Sequence, residues 1–114
     1  MTEPPAGELP AVVDVGDIAT VLAAVADPVR LEMVLRLARA DDHTAACRTL
    51  YDGVSKSTAS HHFKVLREAG LTERRYVDGT VHQRLRLDAV GERYPGLLDS
   101  VVEAAAATPR RVDA

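Results

Sequence analysis

The pattern of apolar and polar residues predicts two consecutive amphipathic helices near the start of the chain. The first runs from Asp17 to Ala26, where apolar residues recur at i, i+3, i+4 and i+7. A second follows to about Ala40, because Asp27 can cap its N-terminus and Pro28 suits its first turn. The apolar stripes of the two helices are Ile18, Val21, Leu22 and Val25, then Leu31, Val34, Leu35 and Ala38.

Two further helices are predicted on either side of a short turn. A third helix covers about residues 44–50, and a fourth, capped by Ser55 or Ser57, runs to about Ala69. Gly70 ends the fourth helix, since glycine readily adopts the left-handed conformation found there. Its inner side comprises Ala59, Phe63 and Leu66, with His62 on the inner or flanking side, where we interpret it as hydrogen-bonded to a neighbour.

After Gly70 the apolar residues change to the alternation that is typical of strands. Residues from Leu71 form one strand, Asp78 and Gly79 form a type I′ hairpin turn, and residues 80–87 form the second strand. In the second strand the apolar set and the basic set point to opposite sides. These sets are Val81, Leu85 and Leu87 against His82, Arg84 and Arg86.

A last, strongly apolar helix from about Gly96 to Ala107 completes the order: four helices, a β-hairpin and one more helix. This order predicts a mainly α fold with a small β-hairpin, the winged helix-turn-helix. The domain covers residues 14–107. We interpret residues 1–13, which are rich in proline, as a flexible N-terminal tail and residues 108–114 as a C-terminal tail.

Charge is distributed unevenly along the chain, and this changes the interpretation of its net charge of −3. Residues 55–86 hold 7 basic and 3 acidic residues, a net +4, whereas residues 1–54 carry −5 and residues 87–114 carry −2. Phosphate binding depends on the local field, so the basic segment with the fourth helix and hairpin is the candidate nucleic-acid surface.

Composition narrows the class of protein further. With 46% hydrophobic and 27% charged residues the chain is globular, and its single cysteine, Cys47, excludes an intrachain disulfide and favours a reducing compartment. Neither an N-terminal apolar signal core nor a run of about 18 apolar residues is present, so we expect a cytoplasmic protein without membrane contact.

The fourth helix and the hairpin present the candidate DNA-binding residues. Short hydroxyl side chains near a helix N-terminus can reach base edges in a major groove, and cations favour phosphates. An ordinary solvated helix face is the alternative for the helix alone, but the basic hairpin beside it favours duplex binding. The candidates are Lys56, Ser57, Thr58, Ser60, His61, Lys64, Arg67, Arg74, Arg75, Arg84 and Arg86.

Two segments resemble the ArsR/SmtB-type winged helix-turn-helix transcriptional regulators. They are Ala26-Asp27-Pro28-Val29-Arg30-Leu31 and the run from Ser55 to Leu71, which contains Ser-x-x-x-His-His-x-x-x-Leu-x-x-Ala-Gly-Leu. The resemblance covers about residues 15–105. It implies a sequence-specific regulator, a signal-responsive repressor that binds a palindromic operator as a homodimer through its first and last helices.

The apolar faces of those two helices agree with a homodimer, because they offer more apolar surface than one small domain readily covers. The candidate interface residues are Ile18, Leu22, Val25, Leu97, Leu98, Val101 and Val102. The alternative is that these helices only cover the core of their own chain.

The signal that the resemblance implies is a small inducer or a metal. The clustered cysteines and the last-helix histidines of the family's metal sites are absent here. Asp42, His43 and Cys47 remain as candidate ligands for nickel, zinc or cobalt, because His43 and Cys47 would share a helical face. The alternative is that the acids cap a helix and Cys47 packs as a small apolar residue, with a redox role for Cys47 as a further possibility.

Two other function classes compete with the DNA-binding regulator. A winged-helix protein-interaction module without sequence-specific DNA binding would use the same basic surface on an acidic partner. An enzyme is not expected, because Ser60, His61 and His62 are adjacent on one helix and therefore do not face one another as a nucleophile and its base must.

Overall fold

Five helices and three short strands make up the regular structure of residues 11–108, the part of the chain that a computed structural model describes, apart from two short 3₁₀ turns. The predicted tails lie outside these residues, except for positions 11–13 and 108. No helix within them is long and apolar enough to cross a membrane. The elements are α1 (Ile18–Val25), α2 (Pro28–Arg39), β1 (Thr44–Ala46), α3 (Lys56–Glu68), β2 (Thr72–Val77), β3 (Thr80–Leu85), α4 (Leu87–Arg93) and α5 (Leu97–Ala107).

The first two helices begin at aspartate caps. The Asp17 carboxylate accepts a hydrogen bond from the amide of Thr20 at 2.8 Å. Asp27 accepts from the amides of Val29 and Arg30 at 2.8 and 3.0 Å, so its predicted capping role is confirmed. Each cap satisfies amides that would otherwise lack an intrahelical partner, which fixes where the helix starts.

The core is aliphatic, and α2 faces it at a slightly different angle from the one predicted. Val34 and Leu35 are buried as predicted, and Met33 and Leu37, which lie outside the predicted stripe, are buried as well. The predicted Leu31 and Ala38 are only half-buried. α2 packs against α1, α3, α5 and β3 and therefore buries a wider face than a single stripe.

The predicted third helix at residues 44–50 is wrong. Thr44–Ala46 form strand β1, and only Cys47–Thr49 adopt a short 3₁₀ turn. Asp42 and His43 have φ angles of 53° and 51°, which no helix can continue through. The alanines after them satisfy their backbone groups by pairing with β3, so tertiary pairing overrides their helix propensity.

The three strands form an antiparallel sheet in the order β1-β3-β2. Asp78 and Gly79 both have positive φ angles, 51° and 77°, as a type I′ turn requires, so the predicted hairpin is confirmed. The second strand ends at Leu85 rather than Leu87. Leu87 instead begins α4, a helix that the sequence analysis missed and that buries Val90.

Candidate nucleic-acid interface

Helix α3 is anchored by one face and exposed on the others. Its buried residues follow helical spacing and are Ala59, His62, Phe63 and Leu66. Ser55 caps the helix by accepting a hydrogen bond from the amide of Thr58 at 3.1 Å, and its hydroxyl also bonds those of Thr58 and Ser57. Buried anchors and a satisfied cap hold the exposed side chains of α3 on a rigid element.

His62 belongs to the support of this helix rather than to its exposed surface. Its Nδ1 lies 2.9 Å from Nη1 of Arg30, whose Nε donates to the carbonyl of Ala24 at 2.6 Å. A guanidinium only donates hydrogen bonds, so Nδ1 of His62 is the acceptor in this contact. The predicted structural role of His62, on the inner side and bonded to a neighbour, is confirmed.

The exposed surface of α3 divides into two faces. Ser57 and His61, four residues apart, are exposed on one of them. The other face turns toward the hairpin and consists of Lys56, Ser60, Lys64 and Arg67, which all line the same cleft. The sequence alone predicts one polar face for these residues, because only the position of the hairpin separates them.

The four basic hairpin candidates do not act as one surface. Arg75 and Arg84 lie on the outer face of the sheet, where Nε of Arg75 is 3.2 Å from Glu73 and Nε of Arg84 is 3.8 Å from Asp42. Arg86 lies beyond the end of β3 and donates to the carbonyls of Val13 and Gly70. Its guanidinium therefore ties backbone segments together, which the alternating pattern of the strand did not indicate.

Arg74 occupies the inner face of the hairpin and meets α3. A cleft of about 500 Å³ opens there between α3 and the strands. It is lined by Cys47, Arg48, Tyr51, Lys56, Ser60, Phe63, Lys64, Arg67, Arg74, Thr80, Val81 and Gln83. Among the described residues, Lys56, Lys64, Arg67 and Arg74 form no ion pair. Their charge is therefore not neutralised, whereas that of Arg75 and Arg84 is partly neutralised.

Burial and mutual repulsion act on the titratable groups of the cleft. Burial, together with the nearby charge of Arg74, holds the pKa of Arg67 below its usual value. Burial also raises the pKa of the Cys47 thiol, and a weak hydrogen bond from Gln83 and the charge of Arg74 only partly offset this. The thiol is therefore protonated at neutral pH, which disfavours the redox role considered for Cys47.

The candidate metal ligands do not come together as the sequence analysis required. β1 separates His43 from Cys47, so the shared helical face does not exist. Nδ1 of His43 lies 3.2 Å from the carbonyl of Ala38, and Asp42 pairs with Arg84. Within residues 11–108 no group of three or more His, Cys, Asp or Glu side chains is arranged to hold a metal ion.

The candidate dimer residues fall into two groups. Val25 and Leu98 are buried in the core of the single chain and are unavailable for contact. Ile18 and Leu22 on α1 are 43% and 46% exposed. On α5, Leu97, Val101 and Val102 are half-buried and pack against the core.

Gln83 is the site residue that the sequence analysis missed. It is 1% exposed and lies on the inner face of β3 between Val81 and Leu85. The sequence contained a signal for it, because Gln83 is a polar residue at an inward position of an alternating strand. Packing of the core alone does not require a polar side chain there.

Comparison with known proteins agrees with this geometry. A helix-turn-helix domain family matches residues 25–75. The uncharacterised HTH-type transcriptional regulator YceK of Bacillus subtilis strain 168 is 46% identical over 48 residues, which are 42% of this chain and 48% of YceK. The match thus spans about half the length of that curated relative.

Solved structures share the fold over most of the chain. The transcriptional repressor BigR from Xylella fastidiosa has a TM-score of 0.60 at 23% identity, over 82% of this chain and 89% of that one. An ArsR family transcriptional regulator gives 0.56 at 17% identity, over 81% and 93%. NolR from Sinorhizobium fredii gives 0.52 at 28% identity, over 68% and 83%.

A capped polar helix beside a β-hairpin, within a shell of supporting helices, defines the winged helix-turn-helix class of DNA-binding domains. The chain has this fold, matches a helix-turn-helix domain family over residues 25–75, and is similar to HTH-type and ArsR family transcriptional regulators.

Proposed function

We propose that this protein is a signal-responsive repressor that binds a palindromic DNA operator as a homodimer in the cytoplasm. The observation that carries the proposal is the exposed part of α3, where hydroxyl and imidazole side chains stand beside cations that no carboxylate of residues 11–108 pairs. Major-groove reading requires short polar side chains at base edges, and positioning requires cations at phosphates.

The two faces of α3 provide candidates for the two kinds of contact, to bases and to phosphates. Ser57 and His61 are the candidates for base contacts, together with Ser60 at the edge of the cleft. Lys56 and Lys64 are the candidates for phosphate contacts. Arg75 and Arg84 contribute less free energy than their charge suggests, because Glu73 and Asp42 partly neutralise them.

A homodimer is the second part of the proposal. Two copies present two recognition helices, which match the two-fold symmetry of a palindromic site. The exposed Ile18 and Leu22 support an interface at α1, since apolar side chains that stand four apart on a helix form a continuous strip.

Fluorescence anisotropy tests the proposal with the duplex upstream of the protein's own gene and a scrambled duplex of equal length, at two salt concentrations. We expect tighter binding to the upstream duplex and weaker binding to both at high salt, because bound phosphates release counterions. Equal affinity for the two duplexes would instead favour a protein-interaction module that uses the same basic surface on an acidic partner.

A further inference from the structure

Two residues that line the cleft between α3 and the hairpin carry a donor and an acceptor without a partner among the described residues. Oε1 of Gln83 and Nε of Arg74 are both buried and make no hydrogen bond with described residues. The two residues are directly opposite each other in the β2–β3 register, on the inner face of the sheet. Nε2 of Gln83 is already used, because it donates to Sγ of Cys47 at 3.5 Å.

An unpaired buried polar atom is unfavourable, so a native protein rarely keeps two at directly opposite strand positions without a use. A hydroxyl group has the chemistry that both atoms lack, because it can accept from Nε of Arg74 and donate to Oε1 of Gln83. A carboxylate alone cannot do so, since it has no proton to give to Gln83.

The charge of the cleft selects an anion. Arg67 and Arg74 share the inner part, and Lys56, Lys64 and Arg48 surround it, whereas no Asp or Glu is among the described residues that line it. The repulsion between Arg67 and Arg74, which contributes to the lowered pKa of Arg67, would be relieved by a negative charge between them. Guanidinium groups bind carboxylates with particularly strong hydrogen bonds.

The remaining lining is apolar and aromatic. Tyr51 and Phe63 meet edge to face with ring centroids 6.1 Å apart, and Val81 lies opposite on β3. Such a wall accepts a flat apolar body. A volume of about 500 Å³ is within the range of small-molecule sites.

We propose that this cleft binds a small hydroxylated aromatic carboxylate and that its binding releases DNA. The hydroxyl group bonds Gln83 and Arg74, the ring packs against Tyr51 and Phe63, and the carboxylate lies among the cations. The release of DNA rests on the proposed function: Lys56, Ser60 and Lys64 line the cleft and belong to the candidate DNA surface, so an anion there withdraws their charge from phosphates.

The binding step is tested without DNA, by proton–nitrogen correlation spectra of the full chain during titration with para-hydroxybenzoate. We expect shifts of the side-chain signals of Gln83, Arg67 and Arg74. The neutral analogue para-hydroxybenzamide tests the need for charge, and inorganic phosphate tests the need for a ring. Shifts of equal size with phosphate, or none with para-hydroxybenzoate, overturn the proposal, because the cleft is then only part of a phosphate-binding surface or empty.

A matched pair of variants on β2 locates the site. Arg74→Gln, on the inner face, should weaken para-hydroxybenzoate binding by about tenfold or more, as expected for the loss of a charge-assisted hydrogen bond. Arg75→Gln removes the same charge from the outer face and should change the affinity by less than about twofold. Equal losses in both variants would show that only net charge matters and would overturn the proposal.

Val81→Phe keeps every cation and places a larger side chain in the lining of the cleft, so it tests the same site if Arg74→Gln does not fold. We expect it to weaken para-hydroxybenzoate binding, and an unchanged affinity overturns the proposal. The anisotropy assay then measures release of the upstream duplex by para-hydroxybenzoate. If the protein binds neither duplex, the proposed function is wrong. The titration with para-hydroxybenzoate, which needs no DNA, still tests the ligand site.

Discussion

Asp27 stabilises the junction of α1 and α2 as a charged cap. Burial raises its pKa, but the amide hydrogen bonds from Arg30 and Val29 outweigh burial and hold the pKa below its usual value of 3.8. A lowered pKa means that the contribution to stability is fully present above pH 3.8 and is lost as the pH falls through the lower, folded-state value.

We therefore expect Asp27→Ala to lower the free energy of unfolding by about 1 kcal/mol at neutral pH, whereas Asp27→Asn, which keeps a capping oxygen, changes it far less. Urea denaturation followed by circular dichroism measures both. Below about pH 4 the wild type should approach the stability of Asp27→Asn, because protonation removes the charge that only the wild type has. A constant difference between the two proteins across this range would contradict the assignment.

Gly70 is the glycine that the fold can least replace. Its φ angle is +81°, and a Cβ atom there would overlap the backbone of Asp14 and Val15. Gly79 at the hairpin tip has a similar φ angle of +77° but open space around it. Gly79 is thus a matched control that separates backbone strain from steric overlap.

We expect Gly79→Ala to destabilise the protein by about 1–2 kcal/mol, the strain of a left-handed residue, and Gly70→Ala to destabilise it clearly more. Thermal unfolding monitored by circular dichroism compares the two variants. Equal losses of stability would mean that the chain before α1 moves away freely from the end of α3.

At the scale of elements, periodicity predicted α1, α2, α3, α5 and the hairpin, since each has an unambiguous spacing or a specific turn pair. It failed for residues 44–50, where small residues fit a helix or a strand and only β3 decides. It also failed for α4. Leu87 continues the alternation of apolar residues in β3, and the same residue is compatible with the start of a helix.

The candidate site was predicted only in part, again because a local sequence pattern does not show which elements pack together. The residues of α3 follow from one helix, but the two roles of the hairpin arginines depend on which face of the sheet each occupies. Arg86 illustrates the limit: the alternation placed it with Arg84, and the strand ended one residue before it. The cleft itself joins α3, β2, β3 and the segment around Cys47, and no local pattern contains that information.

The two faces of α3 should differ in what they contribute to DNA binding. His61→Ala should lower affinity for the upstream duplex by about 1–3 kcal/mol with little change for scrambled DNA, because it removes a base contact. Lys64→Gln should weaken both complexes equally and reduce the slope of log affinity against log salt by about 1. Anisotropy over a series of salt concentrations measures both, and exchange of the two behaviours would reverse the roles assigned to the residues.

At the scale of the whole molecule, the exposed apolar strip on α1 determines the expected assembly. Leu22→Asp should shift the protein from a dimer to a monomer of 12.3 kDa, since a charge in an apolar interface is strongly unfavourable. Thr20→Asp adds the same charge on the opposite side of α1 and should leave the dimer intact. Light scattering after size-exclusion chromatography measures the mass, and a dimer that survives Leu22→Asp would move the interface elsewhere.

The pairing of β1 with β3 links the segment before α3 to the hairpin, because β1 leads through one 3₁₀ turn to the loop before α3. We expect this link to limit how far α3 and the hairpin can move apart. A bound duplex would then adapt its own groove width to them. Operator sequences should then be selected partly for flexible base steps that no side chain touches, and substitutions at those steps should weaken binding as the deformation becomes harder.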